Sequence, residues 1–150
     1  MTDARAAAAR WRHAWKHAWE ALDADPIVAL YAVDAVFSSE PFRDPYRGPA
    51  GVRAYVERVF GGEEGVRVRV STPIVDGDRA SISWGASLRE DGEEVTLAGT
   101  SVLRFDAAGL VIEQWDAWNT LSERHDPPAA IGTPFTEEPG SDSSQVRATR

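Results

Sequence analysis

Apolar residues recur along this chain with two different periods, and the change of period divides it. In the first part they return every three or four residues. An Ala-rich stretch carries Trp11, Trp15 and Trp19 at four-residue steps and Leu22 three residues on, a stripe that leaves Arg12, Lys16 and Glu20 to the side. This spacing predicts a helix over Asp3 to Leu22. Asp25-Pro26 supplies an N-cap and a first-turn proline, and Ile27, Val28, Leu30 and Tyr31 predict a short second helix ending near Asp34. Val36 to Phe42 is β-branched and aromatic enough for a short strand, before Pro41 and Pro45 force an irregular loop. Gly48-Pro49 opens a third helix with Val52, Tyr55, Val56, Val59 and Phe60 at helical spacing, and Gly61-Gly62 ends it.

From Val66 the period is two. Val66, Val68 and Val70 alternate with Arg67, Arg69 and Ser71, and Ile82, Trp84, Ala86 and Leu88 alternate with Ser81, Ser83, Gly85 and Ser87. Val95, Leu97, Gly99, Ser101, Leu103 and Phe105 form the next inward set, and Leu110, Ile112, Gln114, Asp116 and Trp118 the last. Asp76-Gly77, Asp91-Gly92 and the segment from Asp106 to Gly109 are the turns between them. After Asp126 proline, glycine, serine and threonine dominate, which predicts a folded domain over 1–126 and a disordered tail over 127–150. Three helices followed by an antiparallel meander give an α+β protein, its helices packed on one face of a curved, mainly antiparallel sheet.

Composition narrows the chemistry. At 150 residues the chain suits one domain. With no cysteine it has neither disulfides, thiolate metal sites nor a thiol nucleophile. The 16 Lys and Arg against 24 Asp and Glu leave a net charge of -8, and Arg67, Arg69 and Arg104 are dispersed, which argues against a nucleic-acid partner. No apolar run reaches the roughly 18 residues of a membrane span, and the N-terminus lacks an apolar signal core. A soluble, cytoplasmic protein is therefore expected. No phosphate-binding loop, dinucleotide fingerprint or nucleophile elbow is present. Six tryptophans in such a chain call for a place, and tryptophan lines cores, interfaces and apolar pockets.

The order helix, helix, short strand, helix, long strands resembles the nuclear transport factor 2-like superfamily, and within it the SnoaL-like polyketide cyclases and ketosteroid isomerases. The segments DPIVALYAVDAVFSSEPF, GPAGVRAYVERVF and SVLRFDAAGLVIEQWDAWN and the hairpin at Asp91-Gly92 carry the likeness, over about residues 8–120. The resemblance implies a cone-shaped α+β barrel enclosing an apolar pocket, a fold that serves many activities. Against the ketosteroid isomerase pattern, Trp15 stands for the tyrosine of the first helix and Ser101 for the oxyanion-hole acid. The general-base aspartate falls at Ser39, or at Glu40 if Glu40-Pro41 is the equivalent pair. Steroid isomerisation, which relies on those donors, is not expected. The same register turns Trp84, Ala86, Leu88, Leu97, Gly99, Ser101, Leu103, Gln114, Asp116 and Trp118 inward, with Trp15, Trp19 and Tyr55 closing the cone. Trp11 is assigned to helix packing.

Asp116 is the sharpest candidate. An Asp in mid-strand on an apolar face costs free energy unless it is paired or used. SnoaL-like cyclases carry an acid/base aspartate on this strand, so the resemblance implies that role for Asp116. The bland reading pairs it with Arg43 or Arg53, or has it cap a backbone group. Glu40 is either a second carboxylate acting with Asp116 or a solvated loop residue. Asp34 reads as a local cap. His13 and His17 have the i, i+4 spacing of a metal pair but face away from the Trp15 side, so no metal is expected. The hydroxyls of Tyr31 and Tyr46 could serve the site, their orientation left open.

The expected substrate-binding set is Trp15, Trp19, Tyr55, Trp84, Leu88, Ser101, Gln114 and Trp118, around a small hydrophobic molecule. The expected activity is a cofactor-independent isomerase, cyclase or dehydratase. The alternative is a non-catalytic ligand-binding or dimerisation module of the same fold. The outer sheet face, with Ala98, Thr100, Val102, Val111, Trp115 and Ala117, is too apolar for full solvation and predicts a homodimer.

Overall fold

The first helix begins and ends where its cap residues place it. In the computed structural model, which describes residues 2–125, α1 (Ala4–Ala21) starts at Asp3, whose side chain accepts from the Ala6 N–H at 3.0 Å. It stops at Leu22, whose φ of 53° turns the chain out of the helix. Ala4, Ala7 and Ala8 are buried in the same hydrophobic core as Phe105 and Val111. The expected tail over 127–150 lies outside the described residues.

The second helix is shorter than its spacing predicts. α2 (Asp25–Val28) is a single turn, and β1 (Tyr31–Ser38) begins where two more turns of helix were expected. Four residues hold a helix only weakly. Instead, the Val111 N–H donates to Leu30 O at 2.8 Å, and β1 then runs parallel to β7 (Val111–Leu121). Asp34 is thus an exposed strand residue rather than a helix cap, and the strand expected over Val36 to Phe42 is displaced toward the N-terminus.

β2 (Tyr46–Arg47) pairs with β1 and leads into α3 (Gly48–Phe60), which opens on Gly48-Pro49 as its sequence requires. β3 (Glu63–Val70), β4 (Ile74–Asp76), β5 (Arg79–Glu90) and β6 (Glu93–Phe105) complete the set. The sheet order is β2-β1-β7-β6-β5-β3, with β4 on β5. All pairings are antiparallel except β1 with β7. The β5–β6 hairpin turns on Asp91 and Gly92, both at positive φ (49° and 85°). Three helices cover the concave face of this curved sheet, as the sequence predicts, and no helix among the described residues is long and apolar enough to cross a membrane.

Three register shifts break the alternation, between Tyr31 and Val36, Glu64 and Arg67, and Arg104 and Phe105. Each bulge exchanges the faces of the residues beyond it. Val111, expected on the outer face, is consequently buried in the core. Gly99 answers a different need. A Cβ there would stand 2.5 Å from Ala117 O and 2.6 Å from Trp118 Cβ, so the glycine admits Trp118 close against β6.

Candidate active site

The helices and the concave sheet face enclose a cavity of about 200 Å³. Five of the six tryptophans line it: Trp11, Trp15 and Trp19 from α1, Trp84 from β5 and Trp118 from β7. Trp11, assigned from its sequence to helix packing, belongs to this wall as well. Trp15 and Trp19 pack edge to face, as do Trp19 and Trp84, at ring separations of 6.3 and 5.7 Å.

One polar chain crosses this apolar wall, and every donor in it leads toward Asp116. Indole N–H groups can only donate. Trp11 Nε1 therefore fixes Gln114 with its oxygen toward α1, at 3.2 Å, and Tyr31 O–H donates to the same oxygen at 2.5 Å. Trp15 Nε1 donates in turn to Tyr31 at 3.3 Å. The Gln114 amide NH2 is thereby left for Asp116 Oδ1, at 3.0 Å. From the other side Trp84 Nε1 donates to Ser101 Oγ at 3.0 Å, and the Ser101 O–H donates to Asp116 Oδ1 at 2.7 Å. Oδ1 thus holds two bonds, while among the described residues none reaches Oδ2. Arg43 pairs with Glu40, and Arg53 with Asp25 and Glu57, so neither arginine neutralises Asp116. Burial pushes the Asp116 carboxyl up to about 7, against the lowering effect of Ser101 and then Gln114. Burial, and next the charge of Asp116, also raise the Tyr31 phenol, which stays protonated as a donor.

Glu63 forms a second buried carboxylate on the same wall, and sequence reasoning missed it. Alternation counted back from Val66 turns Glu64 inward and Glu63 outward. The register shift beside Gly65, at φ 63°, reverses this. Trp19 Nε1 donates to Glu63 Oε2 at 2.6 Å, and no bond among the described residues reaches Oε1. Burial, reinforced by Glu90 and opposed by the Trp19 bond, pushes Glu63 up to about 7.

The rim is drawn together by Trp118, whose Nε1 donates to Ser39 O at 2.8 Å, while Ser39 Oγ donates to the Tyr55 hydroxyl oxygen at 2.6 Å. Tyr55 thereby keeps its own proton for the cavity, and burial raises its phenol. Glu40 also reaches this rim, where the Arg43 guanidinium engages it. Trp15, Trp19, Tyr55, Trp84, Ser101, Gln114, Asp116 and Trp118 are brought together as expected. Leu88 is not among them. It is fully buried in the core beside the cavity. Tyr46 accepts from Arg58 at 2.7 Å outside the cavity wall. His13 and His17 are exposed, their rings in tilted contact at 4.3 Å, and among the described residues no cluster of three or more His, Asp or Glu suits a metal ion.

Known structures share the architecture. The chain is similar to SalBIII, described as an epoxide hydrolase/cyclase-like enzyme in pyran ring formation in the polyether salinomycin. That likeness has a TM-score of 0.67 and 16% identity, over 79% of this chain and 95% of that one. It is also similar to a protein described as a SnoaL-like polyketide cyclase from Shewanella denitrificans OS-217, with a TM-score of 0.61 and 19% identity, over 71% of this chain and 86% of that one. At these identities the likeness establishes the fold. No curated protein sequence matches the chain. The family model of the SnoaL-like domain matches residues 6–114, ending two positions before Asp116. That segment carries most of α1, the other two helices, the strands up to β6 and every member of the polar chain but Asp116, and with it the protein belongs to the SnoaL-like domain family.

Proposed function

We propose that the protein is a cofactor-independent proton-transfer enzyme of the isomerase, cyclase or dehydratase type, with Asp116 as its general acid/base. The observation that carries this reading is the state of Asp116: Oδ1 tied by Ser101 and Gln114, Oδ2 open on an apolar cavity, and a carboxyl raised to about 7. A carboxylate in that range can both take and return a proton near neutrality. Oδ2 would remove a proton from a carbon next to a carbonyl. Tyr55 would donate its hydrogen bond to the carbonyl oxygen as negative charge develops there. The protonated Asp116 would then deliver the proton to the new position. Ser101 and Gln114, whose polar atoms are engaged by Asp116, would position the carboxylate rather than the substrate. The cavity of about 200 Å³ lies below the roughly 300–1,000 Å³ usual for ligand pockets, which suits a substrate of one or two rings.

The test is a thermal-shift and native mass-spectrometry screen of small carbonyl compounds, followed by Asp116→Asn on any compound turned over. A loss of about 10²–10⁴ in kcat supports the role. Activity kept within a few-fold removes it and leaves a ligand-binding module. The same reading includes a homodimer through the outer sheet face, where Trp115 is 48% exposed. Sedimentation at micromolar concentration is expected to give a dimer, and Trp115→Glu a monomer.

A further inference from the structure

We propose that Glu63 is the residue that selects the ligand, accepting a hydrogen bond from an ammonium or hydroxyl group at one end of a mainly apolar molecule. This rests on the cavity being the ligand site, as the proposed function holds, but not on any turnover there. Glu63 is 8% exposed and stands on the cavity wall. Its Oε2 is anchored by the Trp19 indole at 2.6 Å, and its Oε1 meets no partner among the described residues. Among the described residues no side-chain polar atom is both fully buried and without a partner, so the unpartnered Oε1 keeps accessible surface, and Glu63 lines the cavity. Proton transfer at Asp116 makes no use of this group. Strands β6 and β5 lie between the strands that carry the two carboxylates, so Glu63 addresses a different part of a bound molecule.

The charges around the cavity fix the sign of the ligand. Glu63, Glu90 and Asp116 line it, with Glu40 paired by Arg43, against one lining cation, Arg58. Arg58 is already engaged, donating to Tyr46 at 2.7 Å and lying 5.7 Å from the centre of the Tyr55 ring. A free carboxylate entering here meets like charge in a poorly solvated space, whereas a donor group meets an oxygen already placed to accept it. The aromatic wall takes the apolar body in either case.

The experiment compares two probes with one body, 2-naphthylmethylammonium and 2-naphthoate, titrated calorimetrically at about pH 8, where a carboxyl with a pKa near 7 is ionised. The unaltered protein is expected to bind the ammonium probe at least about tenfold more tightly than the acid, the worth of one charge-assisted hydrogen bond. Glu63→Gln is expected to weaken the ammonium probe by about tenfold and to erase most of the preference, while Asp116→Asn is expected to reduce it by less. Equal affinity for the two probes, or no binding of the ammonium probe at millimolar concentration, overturns the proposal without need of a variant. A preference that survives Glu63→Gln, or that disappears only in Asp116→Asn, overturns it as well. If Asp116→Asn keeps turnover while Glu63→Gln loses the preference, the acid/base reading fails and this one stands. The converse pattern separates them the other way.

Discussion

On β7, Asp116 is gripped at one oxygen by Ser101 and Gln114, and each of these is held from behind by an indole. On β3, Glu63 hangs from a single indole, beside a bulge and close to the charge of Glu90. Both carboxylates are buried, and burial raises both to about 7. The difference lies in support. A carboxylate fixed by a relay of donors keeps its free oxygen at one place, as proton transfer to carbon demands. A carboxylate on one tether can follow a ligand's polar group, as recognition demands. The contrast assigns chemistry to the well-braced group and selection to the loosely held one.

The contrast breaks most readily in kinetics. Asp116→Asn is expected to lower kcat by about 10²–10⁴ on a discovered substrate, whereas Glu63→Gln is expected to act chiefly on KM. Equal kcat losses would erase the distinction.

Stability against pH gives the next largest effect. Folding raises the Asp116 carboxyl from 3.8 and the Glu63 carboxyl from 4.5, each to about 7. Between about pH 4 and 7 the folded state therefore binds more protons than the unfolded one, and stability falls as pH rises through that window, then levels off. Removing either charge removes its share of the slope. Asp116→Asn and Glu63→Gln are each expected to stabilise the protein at about pH 8, by an upper bound on the order of 3–4 kcal/mol, and to have little effect near pH 4. Chemical denaturation at the two pH values checks both the sign and the window.

The smallest effects sharpen the comparison of supports. Ser101→Ala removes one donor from Asp116 and leaves the Trp84 N–H without its acceptor, at a cost of about 1–3 kcal/mol. Trp19→Phe removes the indole bond to Glu63. Both variants are expected to raise the carboxyl they expose, Glu63 by more, because Asp116 keeps Gln114. Carboxyl NMR titration reads the two shifts side by side, and a larger rise at Asp116 would contradict the difference in bracing.

Much of this architecture is legible from local pattern. The stripe of Trp11, Trp15 and Trp19 with an Asp3 cap, the Gly48-Pro49 helix start and the Asp91-Gly92 hairpin depend on neighbours in the chain, and local physics decides them. Asp116 is legible for a related reason. It lies on a regular stretch of β7 in register with Ser101 of β6, where alternation holds without interruption. Tyr31, Glu63 and Val111 are not legible in the same way, because each sits beside a register shift that reverses the count. Nor can the sequence show that Arg43 turns to Glu40 and Arg53 to Asp25 and Glu57, so that neither neutralises Asp116.

The sequence by itself therefore determined the α+β class, the tryptophan-rich face of the first helix, the regular hairpins and the inward aspartate. These follow from spacing, capping and turn chemistry within a few residues. Only the tertiary structure decided where the bulges fall, which way the Gln114 amide points, that Trp11 joins the cavity wall and that a second carboxylate enters it. Those outcomes depend on strands and helices far apart in sequence meeting at one depth, and on which donor is left over once the fully buried side-chain polar atoms of the described residues have found partners.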